Sequence, residues 1–411
     1  MRFELVARTG HPDFLDLPWS QALADWQHER LVEMPLGIHR HVVRVVSYDE
    51  GLYVLKELPR RYADREYRFL RHLRHEDVPT VEVIGVVRGR SGVHDEQLEA
   101  VLITKHLEFS LPYRHLFQRR DAVTLRDPML DALVGLLVRV HLVGFLWGDC
   151  SMSNTLFRRD AGRLAAYVVD TETGELHPEL TDKQRDYDVE TAIERCAGEL
   201  FDLQAGGLLP PDVDPLELGD ELRSRYHELW SELTRDEVFR PDERYRLHER
   251  LRRINELGFD VEEVRLEGDD EEVRLHLSPG VVEPGRPRRR LRDLTGLDAQ
   301  DNQAQRLLND MESFRAWLEH QEGRSLPARI VAARWLDHSF EPTVAAVPQE
   351  LRGKREPAEL YHEILEHWYF RSTVEGADMG LQEATQSYVA NVLPTVDDEA
   401  VVVGEADDEP E

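Results

Sequence analysis

Along the first part of the chain, apolar and polar residues alternate in short runs, and further on the period lengthens to that of helices. Gly37 to Val46 (GIHRHVVRVV) and Leu52 to Leu58 (LYVLKEL) read as two strands, joined by the turn-like Ser47-Tyr48-Asp49-Glu50-Gly51. Val81 to Val87 and Leu98 to Thr104 supply two more around a Gly- and charge-rich connection, and the four make an antiparallel sheet. Between the two pairs, Tyr62 to Leu73 has helical spacing. The lead-in from Met1 to Met34 holds one expected helix, Ser20 to Glu33. Leu130 to Val143 repeats Leu133, Leu136, Leu137 and Val140 at helical spacing until Gly144 breaks it. Asn154 to Phe157 and Leu164 to Val169 read as strands about the tight turn Arg159-Asp160-Ala161-Gly162, a hairpin that brings Asn154 and Asp170 to one edge. From Thr181 to about Leu257 the pattern is helical, with an amphipathic stretch at Leu218 to Leu233 and a break at Pro210-Pro211.

The pattern changes near Phe259. Val261 to Leu266 and Glu272 to Leu277 form an alternating hairpin around an acidic turn, Glu267-Gly268-Asp269-Asp270. A Pro/Gly-rich connector, Pro279 to Pro287, follows, and the basic run Arg286-Pro287-Arg288-Arg289-Arg290 reads as a solvated loop. Leu291 to Leu393 is helical again, with aromatic-rich stretches at Phe314 to Trp317 and Tyr361 to Phe370. Asp397 to Glu411 carries eight acids and no base, a composition expected to stay disordered. The expected layout is a first unit over 1–258, with a strand lobe at about 35–107 and a helical lobe at about 108–258. A hairpin and linker at 259–290, a helical domain at 291–395 and the acidic tail at 396–411 complete it.

Chemistry enters at the loop after the apolar helix, which holds Gly148-Asp149-x-x-x-x-Asn154, with Asp170 at the end of the following hairpin. Kinase-like phosphotransferases use such a loop to put a carboxylate beside the acceptor hydroxyl and an amide five residues on to hold Mg²⁺. Alone, the pattern also describes a solvated turn, but its helical and hairpin flanks are those the chemistry requires. Lys56 lies inside an apolar strand, and lysine is rare here: four of the 51 basic residues (Lys56, Lys105, Lys183, Lys354), the other 47 being arginines. Glu66 lies four residues after Tyr62 and three, four and seven before Phe69, Leu70 and Leu73, so it points with the apolar face of its helix. A carboxylate buried without a partner costs several kcal/mol, and Lys56 is the candidate partner.

The loop and the strand ending in Asp170 resemble the small atypical protein-kinase-like families, the RIO-type and lipopolysaccharide-core (Kdo) kinases. Beyond that the chain resembles an uncharacterised bacterial group, labelled lipopolysaccharide-kinase-like, with an extra C-terminal domain of unknown function. The resemblance covers roughly the first half of the chain. It implies an α+β, bilobal protein-kinase-like fold, an antiparallel β N-lobe over a helical C-lobe, with a mainly helical C-terminal domain appended. It also implies ATP and Mg²⁺ as cofactors. Lys56 would hold the phosphates, Glu66 would orient Lys56, and Asn154 and Asp170 would bind the metal. Asp149 would accept the proton of the acceptor hydroxyl or align it. Gly37 is what remains of the glycine loop, and Thr104 and His106 lie at the expected hinge, where backbone groups meet adenine. Asp188 resembles the helix-borne Asp that braces the catalytic loop, although an acid near a helix start has its own reason to be there. Two departures stand out: Trp147 replaces the usual His, and Thr171-Glu172 replaces the Phe-Gly after the metal-binding Asp.

Composition narrows the class. A chain of 411 residues, 41% hydrophobic and 32% charged, has room for two or three globular domains. A formal charge of −30 argues against nucleic acid or an anionic membrane as partner. Cys150 and Cys196 cannot make a disulfide framework, no Cys/His cluster has zinc spacing, and His39 and His41 read as strand-surface residues. The start MRFELVARTGHPDF is not a signal peptide and no run is apolar enough to span a membrane, so a cytoplasmic setting is expected. The acceptor is an unknown hydroxyl-bearing molecule, and the C-terminal helical domain is a candidate surface for a protein partner. A nucleotide-binding pseudokinase or scaffold is the alternative. Trp147, the missing Phe-Gly and the sparse glycines favour it, whereas Lys56, Asn154 and Asp170 oppose it. AMP transfer on the same fold is a third reading.

Overall fold

The structure is a computed structural model that describes residues 3–34, 40–118, 122–209, 213–235, 237–239, 253–254, 257, 259–268, 273–280, 286–322, 324–375 and 379–399. It opens with a six-stranded antiparallel sheet of β1 (Glu4–Ala7), β2 (Leu31–Val32), β3 (Val42–Tyr48), β4 (Gly51–Leu58), β5 (Glu82–Arg88) and β6 (Ala100–Lys105), in the order β1-β5-β6-β4-β3-β2. The helix α1 (Arg60–His75) lies on one face of it. Strand parity decides what each face receives. Tyr53 and Leu55 of β4 join an apolar cluster with Phe14, Leu17, Trp19 and Trp26 of the lead-in, while Leu58 joins Ala63, Tyr67 and Leu70 of α1. Lys56 has the parity of Leu58 and therefore faces α1.

The C-terminal half of this unit is helical around two smaller sheets, of three and two strands. It comprises β7 (Leu111–Pro112), α2 (Tyr113–Gln118), the long buried α3 (Ala122–Leu142), β8 (Phe145–Leu146), the hairpin β9 (Thr155–Asp160) and β10 (Arg163–Val168), β11 (Glu175–Leu176), α4 (Asp182–Ala205) and α5 (Pro215–Thr234). A capping box at Thr181 and Gln184 starts α4, and Asp214 caps α5. One continuous core runs from the α1 face of the large sheet through α3, the hairpin, α4 and α5. Then come β12 (Glu237–Phe239), β13 (Asp260–Gly268) and β14 (Val273–Gly280), a three-stranded sheet. The helices α6 (Arg286–Thr295), α7 (Asp301–Glu322), α8 (Ala328–Trp335), α9 (Glu341–Ala345), α10 (Pro357–Glu375) and α11 (Leu381–Asn391) follow, with a separate core around Leu307, Met311, Trp335 and Tyr361. The whole is an α+β architecture with an antiparallel sheet before a helical part, as expected. Among the described residues, no helix is long and apolar enough to cross a membrane.

Three expectations need correction. Ser20 to Glu33 is not a helix: only a short 3₁₀ turn, Leu23–Asp25, forms. Its backbone groups are taken by the sheet instead, Leu23 N–H by Glu57 (3.2 Å) and the Leu23 and Ala24 carbonyls by Arg44 (3.2 and 3.1 Å). The same lead-in adds the edge strand β1, which the sequence pattern did not show. The basic run at Arg286 begins α6 rather than a loop, because Leu291 is fully buried and Arg288 and Arg290 bridge to Asp298 (2.8 Å) and Glu312 (2.9 Å). Finally, the first residues of the acidic tail are held in place: Glu399 is buried and pairs with Arg159 and, at 3.0 Å, with Arg355. Gly37, His39, the acidic turn at 269–270, the connector at 281–285 and residues 400–411 lie outside the described residues.

Candidate active site

The loop 147–154 is suspended from one face of α4. Asp188 is fully buried and accepts from Trp147 N–H (2.7 Å), Gly148 N–H (2.8 Å) and His141 Nε2 (3.0 Å). Glu199 accepts from the amides of Met152 (2.9 Å) and Ser153 (3.0 Å). The two acids are eleven residues apart, about three helical turns, so one helix face presents both to the two ends of the loop. Gly148 takes φ +73°, a left-handed conformation that suits glycine at the bend. The bracing role, one of two readings open for Asp188, is the one its contacts support. The sequence reading missed Glu199; its signal was the eleven-residue spacing from Asp188 in step with the buried Val189, Ala192, Cys196 and Leu200. Burial raises the Glu199 carboxyl, which the amide bonds partly offset, and burial lowers the His141 imidazole against the pull of Asp188.

Within the loop, Asn154 Nδ2 donates to the Asp149 carbonyl (2.9 Å) and to its carboxylate (3.3 Å). This commits the amide nitrogen and turns Asn154 Oδ1 away from Asp149. The other Asp149 oxygen meets Arg195 Nε of α4 at 3.0 Å, a contact with no sequence signal. The Asn154 carbonyl accepts from Val169 N–H (3.1 Å), and Thr155 pairs with Val168, so Asn154 and Asp170 stand together at the open end of the β9–β10 hairpin.

Opposite this edge, Lys56 Nζ lies 3.1 Å from Glu66 and 2.5 Å from Asp170. Glu172 is 3.9 Å away and also meets His41 (3.0 Å) and Arg40 (3.3 Å), which links the loop after Asp170 to the start of β3. Glu66, Asp170 and Glu172 each bring a carboxylate oxygen within 4.8 Å of the others. Burial raises the Glu66 carboxyl to about 8, helped by the Asp170 charge and opposed by Lys56. Burial works against the Lys56 ammonium as well, yet Glu66 and Asp170 outweigh it and hold that group above its ordinary value. The two directions agree: three carboxylates crowd one ammonium, and the deepest of them keeps its proton longest.

The structure thus gathers Lys56, Glu66 and Asp170 in direct contact, with Asn154 and Asp149 on the adjoining loop. The two hinge residues lie at and just beyond the end of β6. Thr104 pairs with Val83 and Val54 inside the sheet, and the His106 amide donates to Leu52 O (2.9 Å). These strand bonds take up the Thr104 register position and the His106 N–H, so that N–H is spent.

Residues 47–197 match the profile of the lipopolysaccharide kinase (Kdo/WaaP) family, and residues 228–393 match a domain of unknown function, DUF4032. A solved structure described as WaaP in complex with acyl carrier protein is 16% identical and covers 55% of this chain and 89% of its own, with a TM-score of 0.34. No curated protein matches the chain. The family match points to kinase-like phosphotransferase chemistry in the first unit. The chain is therefore similar to the lipopolysaccharide kinase (Kdo/WaaP) family over residues 47–197 and to DUF4032 over residues 228–393.

Proposed function

We propose that the cluster of Lys56, Glu66, Asp170, Asn154 and Asp149 transfers the γ-phosphoryl group of ATP to a hydroxyl acceptor, with Mg²⁺ as the metal. The observation that carries this reading is Lys56 held between Glu66 and Asp170, one hairpin strand from Asn154. The donor set fits the metal: a carboxylate and an amide oxygen are hard oxygen ligands of the kind Mg²⁺ takes alongside phosphate. Asn154 Oδ1 and Asp170 would hold it, and when bound it would neutralise charge on the phosphate oxygens.

Lys56, steered by Glu66, binds the phosphates as a fixed cation, and its present bond to Asp170 is exchanged for them. Asp149 aligns the acceptor hydroxyl and takes its proton as the oxygen forms a bond to the γ-phosphorus and the bridging oxygen leaves with ADP. Asn154 fixes the Asp149 carboxylate through Nδ2. Positioning and charge neutralisation supply most of the rate in such transfers. Adenine would meet the chain beyond the spent His106 amide, at Leu107–Glu108. A cytoplasmic location suits an ATP-using enzyme whose two cysteines are both free and buried.

The test is phosphate transfer from γ-labelled ATP across a panel of hydroxyl acceptors, with ATP hydrolysis followed in parallel. The reading expects transfer or hydrolysis in the wild type that Asp149→Ala lowers by about 10²-fold or more. Neither activity across the panel would overturn it in favour of a non-transferring nucleotide-binding module.

A further inference from the structure

The hairpin that carries Asn154 and Asp170 at its open end is gripped at its closed end by the C-terminal domain. Its turn, Asp160-Ala161-Gly162-Arg163, has left-handed φ at both central residues, Ala161 (+52°) and Gly162 (+80°), the geometry of a two-residue hairpin turn. An alanine there is strained, and such strain persists where surrounding structure holds it. Here Glu359 of α10 accepts the Ala161 N–H at 2.8 Å. The same Glu359 oxygen accepts from Gln303 Nε2 (2.7 Å), which also donates to the Arg159 carbonyl (3.0 Å). The Asp160 carboxylate caps the start of α7, accepting from Gln303 N–H (2.9 Å) and Asn302 Nδ2 (2.8 Å). Asp160, Gln303 and Glu359 are all buried, so these are desolvated bonds rather than surface pairs.

The strands between the two ends are stiff. Six residue pairs join β9 to β10 in continuous register from Asp160–Arg163 to Thr155–Val168. At the open end, Val168 N–H donates to Pro79 O and Val168 O accepts from Val81 N–H, both at 3.0 Å, so the strand lobe holds that end as well. A rigid element fixed at both ends transmits a displacement of one end to the other.

We propose that the C-terminal domain is a positioning device for the metal site, setting the spacing of Asn154 and Asp170 by seating the hairpin turn in a pocket built from Gln303 and Glu359. This rests on the reading of Asn154 and Asp170 as metal ligands. It gives the domain of unknown function an intramolecular task, and Gln303 and Glu359 are its positioning residues.

The test uses the full chain as Gln303→Ala/Glu359→Ala, with Glu359→Gln as the conservative variant, each checked for intact fold by circular dichroism. Hydrogen exchange over 155–169 and Mn²⁺ affinity by electron paramagnetic resonance are read on the same samples. The double variant should speed exchange along the hairpin roughly tenfold, the loss expected for bonds to a buried charge. It should also weaken Mn²⁺ by roughly tenfold, as removal of an outer support does. Glu359→Gln, which keeps an acceptor for Ala161, should recover most of both. Unchanged hairpin exchange in a folded double variant overturns the proposal, and so does faster exchange with unchanged Mn²⁺ affinity. If the wild type binds no Mn²⁺, the metal reading of Asn154 and Asp170 is what fails, and the exchange data still judge whether the domain holds the hairpin.

Discussion

The indole nitrogen of Trp147 donates to the backbone oxygen of Asp170 at 2.8 Å, and the Thr173 hydroxyl donates back to the Trp147 carbonyl at 3.0 Å. Trp147 thus ties the loop 147–154 to the loop after Asp170. It does so from a fully buried position. Trp147→Phe keeps most of the apolar bulk and drops the bond. It should cost about 1–2 kcal/mol in urea denaturation and raise the Mg²⁺ concentration needed for half-maximal activity. An unchanged Mg²⁺ requirement would show that the Asp170 loop is held without it.

Asp188 is the other fixed point of the loop. Asp188→Ala leaves the buried Trp147 amide, the half-buried Gly148 amide and the His141 ring without their shared acceptor, at about 1–3 kcal/mol for each buried unsatisfied group. The expected loss in denaturant midpoint corresponds to about 3 kcal/mol or more. A loss under about 1 kcal/mol would mean that the loop keeps its shape without this brace.

Glu66 gives the protein a pH signature. Its carboxyl is lifted from 4.5 to about 8 by burial, so the folded state holds a proton that the unfolded chain releases first. The sign follows from linkage: this stabilisation is complete below pH 4.5 and is lost as pH rises through 8. Glu66→Gln, permanently neutral, should gain on wild type across that window by about 1–3 kcal/mol, since each pH unit between the two values is worth about 1.36 kcal/mol before the site relaxes. Parallel stability-versus-pH curves for the two proteins would contradict the assignment.

Gly144 ends α3 at φ +72°, and a Cβ there would lie 2.1 Å from the His177 carbonyl oxygen. Gly144→Ala should therefore destabilise by about 2 kcal/mol or more, adding strain to the left-handed penalty. Thermal unfolding of the variant checks this.

Much of this was legible in the sequence, and the parts that were not share a cause. The strands that became β3 to β6, the hairpin of Asn154 and Asp170 and the face of Glu66 follow from local periodicity, which a single stretch of chain records. What periodicity cannot record is a backbone satisfied by distant side chains. Ser20 to Glu33 has helical spacing, yet Glu57 and Arg44 from the sheet take its backbone groups, and Trp19 and Trp26 anchor it in an apolar cluster. Glu199 and Arg195 meet the loop 147–154 only because α4 passes beneath it, and Glu359 meets Ala161 across 198 positions of chain. Gly37 lies outside the described residues, and the His106 amide went to a strand partner that the hinge analogy could not anticipate.

The convergence of Lys56, Asn154 and Asp170 on one nucleotide is tested most directly by calorimetric titration of a nonhydrolysable ATP analogue with and without Mg²⁺. The account predicts Mg²⁺-dependent binding in the wild type and in Asp149→Ala, and its loss in Asp170→Ala and Lys56→Ala. Binding that is absent from the wild type, or that Asp170→Ala leaves unchanged in its dependence on Mg²⁺, would contradict it.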